Sequence, residues 1–215
     1  MLRALQNLLA RIYDVPQAHD VSEFLLTDRS RLPEALQAGA SDELVVVSEE
    51  EGTLWVSLYL EPGVLRRLAS ANPFEGLHAG NLADYWTVLE GVSHFVCLAW
   101  HAAHERPVTL LELELQAEID KYVSSLWLLR GQHPGRFPAE LHPLLFEHCR
   151  VDAALAGDRV ELYGRANSFA ARFCRRLART LRSAGPAARA AVVAELRRFY
   201  RLCNGRKFQH IESVA

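Results

Sequence analysis

The chain has 215 residues, of which 50% are hydrophobic and 23% are charged, and its formal net charge is −2. This composition is apolar enough to bury a core, which excludes an intrinsically disordered chain. No segment approaches the roughly 18 consecutive apolar residues that a membrane-spanning helix needs, so we expect no membrane partner. The four cysteines form no Cys-x-x-Cys pair, and we therefore predict free thiols in a reducing, cytoplasmic compartment.

The N-terminal part of the chain combines short helices with one β-hairpin. Leucines at helical spacing predict an amphipathic helix over residues 2–13 and argue against a leader peptide. Residues 21–28 are too short an apolar run to separate a helix from a strand. Pro33 is predicted to begin a short helix. Residues 43–60 alternate like two strands around an acidic turn, which predicts an antiparallel hairpin.

Two long helices follow in the middle of the chain. Residues 82–105 carry a continuous apolar stripe, which predicts a single helix that ends at Pro107. Thr109 and Glu112 have the spacing of a capping box, which predicts the start of a second helix that extends to residue 130. Because only a few residues connect the two helices, we expect them to pack as an antiparallel pair.

The C-terminal part is predicted to be a loop followed by helices. The loop covers residues 131–141, and the helices cover residues 142–156, 159–183 and 187–203. The predicted fold class is α+β and predominantly α, a helical bundle with one small antiparallel β-hairpin near residues 43–60. We divide it into an N-terminal acidic region, 1–130, with the hairpin and the central helical pair, and a basic helical region, 131–215. We expect the two regions to pack together as one domain.

Residue types that bind metals recur on the two central helices. Glu90, His94 and His101 lie on one stripe of the first helix, and Glu114 and Glu118 are four residues apart on the second. Glutamates and histidines of facing helices can hold a divalent metal. However, the spacing departs from the Glu-x-x-His and His-Glu-x-x-His motifs, and ordinary amphipathic helices show the same spacing. We therefore predict no cofactor, with a divalent metal on these residues as the alternative.

Charge is divided unevenly along the chain. Residues 1–159 carry 12 basic and 23 acidic side chains, whereas residues 160–215 carry 12 basic and 3 acidic ones. On the last two predicted helices the arginines lie opposite the apolar face, which gives a positively charged surface. The residues predicted to bind a partner are Arg172, Arg175, Arg176, Arg179, Arg182, Arg197, Arg198 and Arg201. Their guanidinium groups suit carboxylates and phosphates, which accept bidentate hydrogen bonds.

The sequence contains no Gly-x-Ser-x-Gly, P-loop or Gly-x-Gly-x-x-Gly motif. The favoured hypothesis is therefore a non-enzymatic accessory or adaptor protein that acts through protein–protein contacts at its basic C-terminal surface, with the hairpin edges as a second docking surface. One alternative is a metal-dependent enzyme that uses the glutamate and histidine stripe. The other is electrostatic binding of nucleic acid by the C-terminal arginines. The uneven charge favours binding over chemistry.

Overall fold

The computed structural model of the chain describes residues 1–147, 157–182 and 185–213. Over these ranges the fold is predominantly helical with one small three-stranded sheet, which confirms the predicted α+β class. None of the helices in the same ranges is long and apolar enough to cross a lipid bilayer.

The chain divides into two compact units. The first unit contains Met1–Ala10 and Val15–Pro107, and the second contains Arg11–Asp14 and Val108–Ala215. Each unit is therefore assembled from two separate stretches of chain. The division falls one helix earlier than the predicted boundary after residue 130, and the separate roles of the two predicted regions stay a prediction.

The first unit carries the sheet and the helix that packs on it. In chain order its elements are α1 (Leu2–Tyr13, whose last three residues belong to the second unit), β1 (Leu25–Leu26), α2 (Glu34–Gln37), β2 (Glu43–Glu50), β3 (Thr53–Leu60), α3 (Pro62–Ser70) and α4 (Leu82–Ala103). The predicted amphipathic pattern of α1 is confirmed, since Leu5 and Leu9 on its apolar face have no exposed surface.

The sheet has the strand order β1-β3-β2 and mixes parallel with antiparallel pairing. β2 and β3 form the predicted antiparallel hairpin, and Glu51 and Gly52 join them with φ values of 49° and 75°, as in tight hairpin turns. β1 pairs in parallel with β3 and places Leu25 opposite Leu58. The predicted hairpin is therefore confirmed, and it forms part of a mixed sheet whose third strand was not predicted. Residues 21–28 contain one turn of 3-10 helix, Val21–Phe24, followed by the strand Leu25–Leu26, and both are too short for a periodicity to be recognised in the sequence.

Helix α4 packs on the sheet at Gly91. A Cβ atom at this position would lie 2.5 Å from Cδ1 of Leu58 and 2.9 Å from Oε1 of Glu43. A residue without a side chain therefore allows the helix to approach β2 and β3 this closely. The apolar stripe predicted for α4 faces inward, and Tyr85 and Val88 are fully buried.

The second unit is helical throughout its described part. After the end of α1, its elements are α5 (Leu110–Gln132), α6 (Leu141–Phe146), α7 (Gly157–Arg182), α8 (Pro186–Tyr200) and α9 (Asn204–Glu212). Helix α5 begins with the predicted capping box of Thr109 and Glu112. Helix α7 packs against α5, α6, α8 and α9 and is therefore the centre of this unit.

Two predicted helices of the second unit end at different residues in the structure. The helix predicted over residues 142–156 corresponds to α6, and its residues 148–156 lie outside the described part of the chain. The helix predicted over residues 187–203 is shorter, and the separate helix α9 follows it. Lys207 and Ile211 of α9 are buried, so tertiary packing stabilises a helix that has Gly205 in its first turn.

Candidate functional site

Three of the predicted metal ligands belong to α4 in the first unit. Glu90 is half-buried, and His94 and His101 are buried. Nδ1 of His94 lies 3.7 Å from Oε1 of Glu43, which β2 supplies. Sequence reasoning missed Glu43, because its approach to His94 depends on the close packing of α4 on the sheet at Gly91.

The other two predicted metal ligands belong to α5 in the second unit. Glu114 is buried and Glu118 is half-buried. Oε1 of Glu118 lies 2.8 Å from Nζ of Lys121, with both side chains largely buried, so this carboxylate already has a cation one turn away. Metal binding by the predicted set stays a prediction.

Helix α5 also carries a buried polar network that no pattern in the sequence predicted. Oδ1 of Asp120 accepts hydrogen bonds from the Tyr13 hydroxyl and, at 2.9 Å, from Nε2 of Gln116. The Tyr13 ring stacks on Tyr200 with a centroid separation of 4.3 Å. Burial raises the pKa of Tyr13 well above its ordinary value, and the neighbouring Asp120 carboxylate raises it further. The network therefore joins the end of α1 to α5 and α8.

A buried ion pair lies at the start of α5. Nζ of Lys207 on α9 is 3.8 Å from Oε1 of Glu112, and the two side chains are 1% and 0% exposed. The ammonium group also lies 5.8 Å from the ring centroids of Phe199 and Tyr200, where the faces of aromatic rings attract cations. Glu112 thus serves both the capping box and the docking of α9.

Three of the eight predicted partner-binding arginines are held by contacts within the second unit. Arg176 donates to Oε1 of Glu195 at 2.6 Å and lies 3.0 Å from Nε2 of His210. Arg197 donates to the carbonyl groups of Arg11 and Ile12, and Arg201 donates to those of Tyr13 and Asp14. The last carbonyl groups of a helix have no partner inside the helix, so Arg197 and Arg201 cap the C-terminal end of α1.

The remaining five predicted arginines are exposed. Arg198 lies on α8, and the other four follow each other along one face of α7. We call these four the α7 row: Arg172, Arg175, Arg179 and Arg182. Steps of three and four residues place them on one face of the helix, whereas Phe173, Cys174, Leu177 and Leu181 on the opposite side are buried.

An open cavity of about 290 Å³ lies beside the α7 row, and we call it the α7 cavity. Its basic and acidic lining residues are Arg175, Arg179, Arg182 and Glu147. Its aromatic lining residues are Tyr122, Phe137 and His142, which come from α5, from the following loop and from α6. Sequence reasoning did not assign these residues to a site, because Phe137 lies in a loop rich in proline and glycine and the other two lie on separate helices.

Contacts inside the cavity fix several of its side chains. The Arg182 guanidinium lies 5.3 Å from the ring centroid of Phe137, and Nη2 of Arg175 lies 3.7 Å from Oε1 of Glu147. Nε2 of His142 is 2.9 Å from the carbonyl oxygen of Ala171, which places the proton on this nitrogen in the neutral ring. The cavity therefore combines an aromatic lining with a basic rim.

Tyr122 connects the cavity to the buried interior of the second unit. Burial raises the pKa of its hydroxyl, the nearby Cys174 thiol raises it further, and the Arg182 guanidinium lowers it. The hydroxyl is therefore protonated at neutral pH and is available as a hydrogen-bond donor.

Comparisons of the chain with protein-family models, with curated proteins and with solved structures found no match.

Proposed function

We propose that the chain is a non-enzymatic adaptor protein that binds an acidic segment of a partner protein along the α7 row. The observation that carries this proposal is that the predicted arginines differ in whether the fold itself binds their guanidinium groups. Arg176, Arg197 and Arg201 donate hydrogen bonds to acceptors of the fold itself, whereas the exposed arginines of the α7 row donate none to a described acceptor. An exposed row of guanidinium groups produces a positive potential that attracts acidic partners and accelerates their association.

The α7 row is unfavourable for the isolated helix, which supports a role in binding. Like charges three or four residues apart destabilise a helix by about 0.2–0.5 kcal/mol per pair. The Arg175 contact with Glu147 compensates little of this, since both side chains are more than half exposed. A bound acidic segment would offset the repulsion along the whole row.

Two features favour a protein partner over nucleic acid. The α7 row extends about 15 Å along the helix axis, from Arg172 to Arg182. A surface of this length is too short for the roughly 6–10 phosphate contacts that many DNA-binding proteins make. The α7 cavity next to the row also offers room for a side chain at an aromatic lining. We also propose a reducing, cytoplasmic location, because the buried Cys174 thiol forms no disulfide bond with any described residue.

The test is a binding titration with a fluorescein-labelled acidic peptide that intersperses glutamate with leucine. The test variant replaces the four arginines of the α7 row by glutamine. Each exposed ion pair contributes about 0.2–1 kcal/mol, so the dissociation constant should rise roughly tenfold. Raising the ionic strength should weaken the wild-type complex, because salt screens exposed charges.

The matched control removes the same charge from exposed arginines elsewhere on the chain. These control positions are Arg31, Arg66, Arg159 and Arg206. The control variant should bind the peptide within about twofold of the wild type, because local geometry rather than net charge sets the affinity. Equal weakening by both variants would contradict the proposal. Tighter binding of a single-stranded or double-stranded DNA oligonucleotide, lost in the α7 variant alone, would favour a nucleic-acid partner instead.

A further inference from the structure

We infer that the α7 cavity binds a phosphate monoester, so that a phosphorylated side chain of the partner segment is anchored there. For its partner the inference rests on the proposed function. The chemistry of the cavity would be the same toward a free small phosphate ester, and the experiment below separates these two sources.

Three arginines of α7 line one small volume. Arg175, Arg179 and Arg182 all line the cavity of about 290 Å³, since steps of four and three residues keep them on one face of α7. This volume is near the lower limit of about 300 Å³ for small-molecule pockets. The cavity therefore suits one compact anionic group with a small organic substituent.

The charged residues that line the cavity are mostly basic. The described lining residues include three arginines and one glutamate, so three positive charges and one negative charge leave an excess of two positive charges among them. A phosphate monoester carries about −1.5 to −2 charges near neutral pH, and it accepts bidentate hydrogen bonds from arginine. A single carboxylate of an acidic peptide would neutralise only half of the excess. The charge of the cavity therefore favours a phosphate over a carboxylate.

The guanidinium groups of Arg182 and Arg179 differ in how they are held by the fold. Stacking of Arg182 on the ring of Phe137 at 5.3 Å orients one guanidinium group before any ligand binds, which lowers the entropy lost on binding. Arg179 has no hydrogen bond or ion pair to any residue that the structure describes. Its guanidinium is exposed and is not held by any described residue. Among the described residues, the cavity therefore has one pre-oriented donor and one donor without a hydrogen bond.

The experiment compares four probes on the full chain. A fluorescein-labelled peptide with one phosphoserine is titrated beside the same peptide with glutamate and with serine at that position, and phenyl phosphate is added as a competitor. We expect the phosphopeptide to bind at least about tenfold more tightly than the glutamate peptide, because it gains charge-assisted hydrogen bonds from additional guanidinium groups.

The variants separate the cavity from the general positive charge of the surface. The cavity variant combines Arg175→Gln, Arg179→Gln and Arg182→Gln. The matched control combines Arg159→Gln, Arg165→Gln and Arg206→Gln, which are exposed positions outside both the cavity lining and the α7 row. The cavity variant should lose the preference for phosphoserine, whereas the control should keep it. Arg179→Gln alone should reduce the preference by about threefold or more, and this single change removes no hydrogen bond or ion pair to a described residue.

The outcomes distinguish the inference from the proposed function. Competition by phenyl phosphate at concentrations comparable to the phosphopeptide supports the inference and identifies a free phosphate ester as a sufficient ligand. Competition by the unlabelled phosphopeptide but not by phenyl phosphate also supports the inference, and it shows that the phosphate must be carried by a peptide. Equal affinity for the phosphoserine and glutamate peptides overturns the inference and leaves the proposed function intact, because acidic binding then persists without phosphate selectivity. Phosphate selectivity that survives in the cavity variant also overturns it.

Discussion

The buried ion pair between Lys207 and Glu112 offers a direct test of how the second unit is held together. The two charged groups lie 3.8 Å apart, and their side chains are 1% and 0% exposed. Among the described residues, Nζ of Lys207 has no hydrogen-bond partner, so the carboxylate and the rings of Phe199 and Tyr200 stabilise its charge. The perturbation is Lys207→Met, which keeps the length of the side chain and removes the ammonium group.

The expected effect is large because one charge remains buried without its partner. Two unit charges about 4 Å apart interact by about 4 kcal/mol at an effective dielectric constant of about 20. Loss of one member of a buried pair typically destabilises a protein by about 3–5 kcal/mol. We therefore expect Lys207→Met to lower the free energy of unfolding by about 3–5 kcal/mol. Adding Glu112→Gln should restore about 1–3 kcal/mol, since the second charge disappears and glutamine can still form the capping box.

The assay is urea unfolding followed by circular dichroism, with comparison of transition midpoints at unchanged slope. Arg206→Met is the control, because Arg206 is an exposed residue of the same helix and its loss should change stability by less than about 0.5 kcal/mol. A loss below about 1 kcal/mol for Lys207→Met would mean that no buried charge pair exists. Strict additivity of the two substitutions would refute the coupling between α5 and α9.

Three further predictions test other contacts of the fold. Arg201→Gln should lower the free energy of unfolding by about 1–2 kcal/mol, because it removes charge-assisted hydrogen bonds to the end of α1, whereas Arg198→Gln should change it by less than about 0.5 kcal/mol in the same urea assay. Gly91→Ala should destabilise the first unit by about 1–3 kcal/mol through overpacking, whereas Gly164→Ala, with open space around it, should stabilise α7 by about 0.5–1 kcal/mol in thermal unfolding. Because the pKa of Tyr13 is raised, its contribution to stability is complete below the unfolded-state pKa of about 10 and is lost as the pH rises above it. Urea unfolding between neutral and alkaline pH should show this decline, and Tyr13→Phe should reduce its slope.

Elements with strong local signals could be predicted from the sequence. The hairpin was recognisable because its strands alternate and because Glu51-Gly52 supplies a turn with positive φ. The start of α5 was recognisable because a capping box involves only Thr109 and Glu112, three residues apart. The strand Leu25–Leu26 could not be predicted, because its identity depends on pairing with a strand about thirty residues later rather than on its own pattern.

The candidate site was only partly predictable for a similar reason. Helical spacing identified a row of arginines on α7, but it could not separate Arg176 from Arg179. The difference arises from Glu195 and His210, which bind Arg176 from α8 and α9. Phe137 of the cavity could not be assigned to a site from the sequence, because it lies in a loop without periodicity. Long-range contacts therefore decide which charged residues stabilise the fold and which are available for a partner.

The capping of α1 by Arg197 and Arg201 constrains the order in which the chain can fold. These arginines contact residues about 185 positions earlier in the sequence, and Tyr13 packs on Tyr200 in the same region. On the ribosome, the second unit cannot acquire these contacts until α8 has been synthesised. Such non-local contacts slow folding, because a long loop must close before they form. A fragment that begins at Val108 would lack the Arg11–Asp14 stretch and the hydrogen bond from the Tyr13 hydroxyl to Asp120. The second unit therefore needs this early stretch of the chain to form its native contacts.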